Sequence, residues 1–140
     1  MADSRQKPFP VTTVRLLIVN EQGKVLLLRR QKGSYGAGGW CLPGGKVDYG
    51  QTVEEAAVKE LAEETSLECV SSQFLFYQDS LPLESGGMHC INLYFECRVR
   101  GAVALNAESI EHAWVGPEDL DRYQIVFRND EGLRRYWERR

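Results

Sequence analysis

Residues Pro43 to Leu67 read PGGKVDYGQTVEEAAVKELAEETSL, which predicts a glycine turn followed by a helix-like run carrying five glutamates. Thr52 with Glu55 three residues later fits a capping box, so the spacing predicts a helix that starts there and runs to about Thr65. At roughly 100° per residue, Val53, Ala56, Ala57 and Leu61 fall on one side and form the stripe expected to face a core. Glu60 and Glu64 point into the middle of that stripe and Glu63 lies at its edge. Glu54, Glu55 and Lys59 occupy the flanks and the far side, where solvated charge is ordinary.

An unpaired ionised carboxylate held against a core costs several kcal/mol, and two close together also repel each other. A divalent cation resolves both problems. Hard oxygen ligands at i, i+3 and i+4 of one helix suit Mg²⁺ or Mn²⁺, with water and substrate phosphate completing the coordination. A surface helix with merely solvated glutamates would show the same ExxEE spacing; the glycine pair ahead of it argues for the metal-binding reading. Small Ala56 and Ala57 leave room for backbone to approach the helix.

Gly45, Gln51, Lys59, Glu60, Leu61, Glu63, Glu64, Ser66 and Leu67 resemble, at matching spacing, the Nudix box. In that box a glycine is followed by Glu, by Arg-Glu-aliphatic-x-Glu-Glu and by Gly-aliphatic. The lead-in Leu42 to Gly45 is also typical of it. The resemblance implies an α/β fold, a Nudix-type α/β/α sandwich with a central mixed β-sheet, and a metal set of Glu60, Glu63 and Glu64. It implies catalytic work for Glu60 and Glu63, with Lys59 in the place of the arginine that orients the neighbouring glutamate, and it puts Gly44 and Gly45 at the substrate. Glu111, three residues before Trp114, falls where many such enzymes place a further metal-facing carboxylate, with Glu108 as competitor.

Three positions depart from the box. Gln51 replaces a glutamate and removes one charge. Lys59 keeps its charge but loses the planar fork of arginine. Ser66 replaces the glycine just past the helix, where a left-handed conformation costs a side chain about 1 kcal/mol. With all three helix carboxylates retained, weakened or retuned catalysis is expected rather than abolition.

Outward from the box, residues 1–10 are polar with two prolines and read as a flexible lead-in to a single domain over 11–140. Val11 to Val19 and Val25 to Leu28 read as strands around the turn Asn20-Glu21-Gln22-Gly23, and the short turn predicts a hairpin. The second strand delivers Arg29, Arg30 and Lys32 to the glycine-rich stretch Gly33 to Gly39. That stretch is either a plain connection or a phosphate-side loop resembling that of nucleoside triphosphate hydrolases. Arg29 is the first candidate for a phosphate contact and Lys46 the second. Beyond the box come an apolar stretch, Glu68 to Asp79, and a strand, Met88 to Val99, with Tyr94 and Phe95 on opposite faces. A helix start follows at Pro117, and a terminal helix runs from Asp130 to Arg139 with Leu133 and Trp137 inward.

The net charge of −3 gives no support to a nucleic-acid-binding surface. Cys41, Cys69, Cys90 and Cys97 lack CxxC spacing and read as reduced thiols, which favours a cytoplasmic compartment. No apolar run approaches the roughly 20 residues of a membrane span. The expected activity is Mg²⁺-dependent hydrolysis of a phosphoanhydride in a nucleoside diphosphate linked to a group X. A (deoxy)nucleoside triphosphate giving monophosphate and pyrophosphate leads. ADP-ribose or a nucleotide sugar as substrate, or a nucleotide-binding module without catalysis, are the alternatives, and a homodimer is compatible with the resemblance.

Overall fold

Alternation along the first strand, β1 (Val11–Ile18), sends side chains into two separate cores, and the layering follows from it. The computed structural model describes residues 9–33, 36–83 and 87–139. Val14, Leu16 and Ile18 pack with Ala56, Ala57 and Leu61 of α1 (Val53–Thr65). Leu17 instead joins Leu133 and Tyr136 of α2 (Asn129–Glu138). The second strand, β2 (Val25–Arg30), divides likewise: Leu26 and Leu28 belong to the first core, Val25 and Leu27 to the second. The sheet layer therefore lies between two helices, the α/β/α sandwich expected.

The layer is two sheets. One is mixed. After β3 (Trp40–Cys41) come β4 (Gly44–Lys46), β5 (Glu68–Ser80) and β6 (Cys90–Arg100), and the four-stranded order is β4-β1-β6-β5 with β1 parallel to β6. The other sheet orders β3-β2-β7, with β7 spanning Ser109–Val115, and is antiparallel. A 3-10 helix, Pro117–Arg122, follows β7.

The hairpin expected between the first two strands does not form. The turn at Asn20 is present, with Asn20 Oδ1 accepting from the amides of Gln22 and Lys24. Its two flanking strands nevertheless enter different sheets and share only the bridge Val19↔Val25. Each strand is buried on both faces, so its pairing is set by which partners cover it and not by the turn. The glycine pair is also more regular than a turn: Gly44 and Gly45 lie within β4, paired to β1.

Helix α1 carries the predicted capping box. Thr52 accepts from the Glu55 amide at 3.1 Å, and Glu55 accepts from the Thr52 amide at 3.2 Å. Its end is Ser66 with φ 63°, the left-handed position anticipated there, and the Ser66 hydroxyl donates to the Ala104 carbonyl at 3.0 Å. Helix α2 begins one residue earlier than expected, and its buried face is Leu133 and Tyr136, with Trp137 only half-buried. Residues 1–8 of the lead-in, and Ser34 and Tyr35 of the glycine-rich stretch, lie outside the described residues; Phe9 and Pro10 are exposed. Among the described residues no helix is long and apolar enough to cross a membrane, and all four cysteines are free thiols.

Candidate active site

Two small residues let α1 sit against β4. A Cβ on Gly45 would lie 2.7 Å from the Glu60 carboxyl, and one on Gly44 would run into the Val14 carbonyl. Without those side chains, Glu60 lies along β4, and Glu64 accepts a hydrogen bond from the Gly44 amide at 3.1 Å. Glu64 is only 6% exposed, Glu60 is half-buried and Glu63 is exposed. The stripe position of Glu60 and Glu64 is thus realised, and Thr65 is buried with them.

The carboxyls of Glu60 and Glu64 hydrogen-bond each other. Burial, then the hydrogen bond and charge of Glu60 and the charge of Glu108, push Glu64 up to about 9, against the lowering pull of the Gly44 amide. Glu60 is raised as well, first by burial and then by the charges of Glu63 and Glu108. Two carboxyls this close in a low-dielectric site hold one proton between them at neutral pH. A hard divalent cation would take that proton's place, and the oxygen-only donor set fits Mg²⁺ or Mn²⁺. Among the described residues, no three acidic, histidine or cysteine side chains converge into a finished cage; Glu60 and Glu64 meet, while Glu63 stands apart in solvent.

The other sequence candidates are placed less uniformly. Arg29 and Glu111 face each other across β2 and β7 and pair at 2.7 Å, and the Arg29 Nε also donates to the Gly38 carbonyl at 3.2 Å. The guanidinium considered for phosphate and the carboxylate considered for metal thus neutralise each other at the edge of the glycine loop. Of the two competing carboxylates, Glu108 is the one whose charge acts on both Glu60 and Glu64. Lys46 is exposed on β4, opposite Thr13, on the sheet face away from α1.

Two of the three departing positions converge on Asp48. Gln51 accepts from the Asp48 amide at 2.9 Å, and Lys59 reaches its carboxylate at 3.4 Å. Asp48 is a residue that reading the sequence did not single out; an acidic residue in a polar loop gives no signal until its partners are known. Arg15, a lone arginine inside the apolar run Val11–Val19, was not singled out either; its guanidinium lies over the Phe127 ring.

Comparisons with known proteins bear on the family and the fold. A family model described as NUDIX domain matches residues 9–136. The MutT protein from Methanosarcina mazei Go1 superposes with a TM-score of 0.83 at 30% identity, covering 95% of this chain and 97% of that one. The nucleoside triphosphatase NudI of Escherichia coli is 28% identical over 123 residues, 81% of this chain and 87% of the relative. The human 8-oxo-dGDP phosphatase NUDT18 is 30% identical over 125 residues, 81% of this chain but 36% of its own length. The chain spans about a third of the length of two animal relatives that it matches, 32% and 36%.

Proposed function

The chain belongs to the NUDIX domain family, and from that premise we propose that it hydrolyses a phosphoanhydride bond of a nucleoside diphosphate derivative in a divalent-cation-dependent reaction. The observation that carries this reading is the pairing of half-buried Glu60 with buried Glu64, set against the β4 backbone where Gly44 and Gly45 make room for it. Such a pair costs stability in the metal-free protein and makes sense as a ligand set.

In this reading Glu60, Glu63 and Glu64 hold Mg²⁺ or Mn²⁺, which when bound neutralises phosphate charge. The Gly44 amide orients Glu64. Exposed Glu63 would join them as a ligand, and Glu60 would orient or deprotonate the attacking water. Lys59 sits beside it, tethered by Asp48, as the positioning residue. Gly44 and Gly45 are the backbone positions proposed to face substrate. Arg29 and Lys46 are the phosphate contacts proposed, Arg29 by exchanging Glu111 for substrate. Glu111, so released, or Glu108 supplies a further carboxylate.

The relatives named as a nucleoside triphosphatase and an 8-oxo-dGDP phosphatase support a nucleotide rather than a nucleotide sugar. We favour a (deoxy)nucleoside triphosphate, cleaved to monophosphate and pyrophosphate. The test is product analysis on nucleoside tri- and diphosphates, ADP-ribose and nucleotide sugars, each with Mg²⁺, Mn²⁺ or chelator. Cation-dependent release of monophosphate from triphosphates is expected. Cleavage of ADP-ribose or a sugar nucleotide alone would replace the substrate assignment, and binding without product from any of them would replace hydrolysis by a nucleotide-binding role.

A further inference from the structure

The loop between β4 and α1 is short and pinned at both ends. The Val47 amide donates to the Thr12 carbonyl at 3.0 Å, and the capping box at Thr52 fixes the start of the helix. Between them Asp48 to Gln51 closes a four-residue turn. The Gln51 amide donates to the Asp48 carbonyl at 3.0 Å, and Gly50, at the third position, holds φ 84°. The Gln51 side chain adds a second tie, accepting from the Asp48 amide at 2.9 Å. A glutamate at 51 would make the same bond but bring a second negative charge to the turn.

The turn therefore presents one carboxylate, and Asp48 Oδ2 pairs with Lys59 Nζ at 3.4 Å. Two other carboxylates are within electrostatic reach of that ammonium. The hydrogen bond to Asp48, then the charges of Glu63, Asp48 and Glu60, raise the Lys59 pKa above the usual lysine value. Yet among the described residues the ion pair of Lys59 is with Asp48 alone. Glu63 stands four residues after Lys59 on α1, and lysine ahead of glutamate is the weaker order for a helical pair. A carboxylate fixed in a turn outside the helix wins the lysine instead.

The consequence falls on the ligand set. An ammonium lying on Glu63 or Glu60 would occupy oxygens that a cation needs and would oppose the cation's charge. Resting on the proposed cation-dependent hydrolysis, we propose that Asp48 is a positioning residue that parks the Lys59 ammonium off Glu60 and Glu63, keeping their oxygens open to the divalent cation. Two departures from the box then act together. A flexible lysine without the planar fork needs an anchor, and the turn that Gln51 closes supplies it.

The test is Mn²⁺ affinity, measured by calorimetry on the whole protein without nucleotide, across Asp48→Asn, Lys59→Gln and the double variant. Thermal melting shows that each variant is folded. Asp48→Asn should weaken Mn²⁺ binding about three-fold or more at low ionic strength, the scale of an exposed pair. Asp48→Glu, which keeps the charge on a longer arm, should recover part of that loss. With Lys59 already glutamine there is no ammonium to release, and the same Asp48→Asn change should alter affinity by less than about 1.5-fold. An equal loss in both backgrounds would mean that Asp48 acts on the cation by its own charge, and it overturns the inference. Unchanged affinity in Asp48→Asn overturns it as well. Failure of the unmodified protein to bind Mn²⁺ removes the ligand set and this role with it. The expected cycle in a protein that splits no nucleotide upholds the role of Asp48 and refutes the hydrolysis alone.

Discussion

Replacing Glu64 by glutamine tests the central electrostatic claim. In the metal-free protein Glu64 titrates at about 9, against about 4.3 for an unperturbed glutamate. Because the folded value is raised, the native state binds more protons than the unfolded state between these limits, and stability falls as pH rises through that window. At pH 7 the ionisable group costs on the order of 4 kcal/mol relative to a neutral isostere, and at pH 5.5 less than half as much, from ~1.4 kcal/mol per unit. The amide keeps an oxygen for the Gly44 N–H and donates to Glu60, taking the role of the shared proton. Glu64→Gln should therefore melt about 10 °C higher than the unmodified chain at pH 7 in chelator, with a smaller gain at pH 5.5. Adding Mg²⁺ or Mn²⁺ should stabilise the unmodified chain and not the variant, narrowing the gap. Differential scanning calorimetry at both pH values decides. A melting offset that is negative, or that does not grow with pH, would refute the crowded-carboxylate account.

Other consequences are open to direct measurement. Gly45→Ala puts a Cβ 2.7 Å from the Glu60 carboxyl; cation-dependent turnover should drop at least ten-fold while far-UV circular dichroism keeps the native shape, and unchanged turnover would show that the carboxylate need not lie along β4. Thr52→Ala removes the capping box of α1 and should lower denaturant stability by about 1 kcal/mol, read as a shifted urea midpoint at constant m-value. Arg29→Ala breaks a half-exposed pair, with Arg29 41% and Glu111 50% exposed, so stability should move by less than about 1 kcal/mol. If Arg29 exchanges Glu111 for phosphate, KM for the nucleotide rises while kcat holds, and an unchanged KM removes Arg29 from the substrate contacts.

What the sequence disclosed was local and chemical. The capping box at Thr52 and Glu55, the stripe of α1, the left-handed end at Ser66 and the misplaced Glu60 and Glu64 all depend on neighbours within a few positions, where spacing alone determines geometry. What it withheld depends on partners far along the chain. A strand such as Val11–Ile18, apolar toward both faces, carries no mark of which strands will flank it, so the turn at Asn20 suggested a hairpin that the two sheets do not contain. Arg29 reads as a free cation until β7 brings Glu111 opposite it. Asp48 gains meaning only from Gln51 and Lys59.

Gly44 and Gly45 give the site a tolerance measured in atoms. On one of them a methyl would strike the Val14 carbonyl, on the other the Glu60 carboxyl. The wall between helix and strand is there one backbone thick, with no slack on either side. Variation in this protein is consequently lopsided: exposed loops are open to revision by ordinary drift, whereas the seam at residues 44 and 45 admits no heavier residue without loosening the grip on the carboxylates.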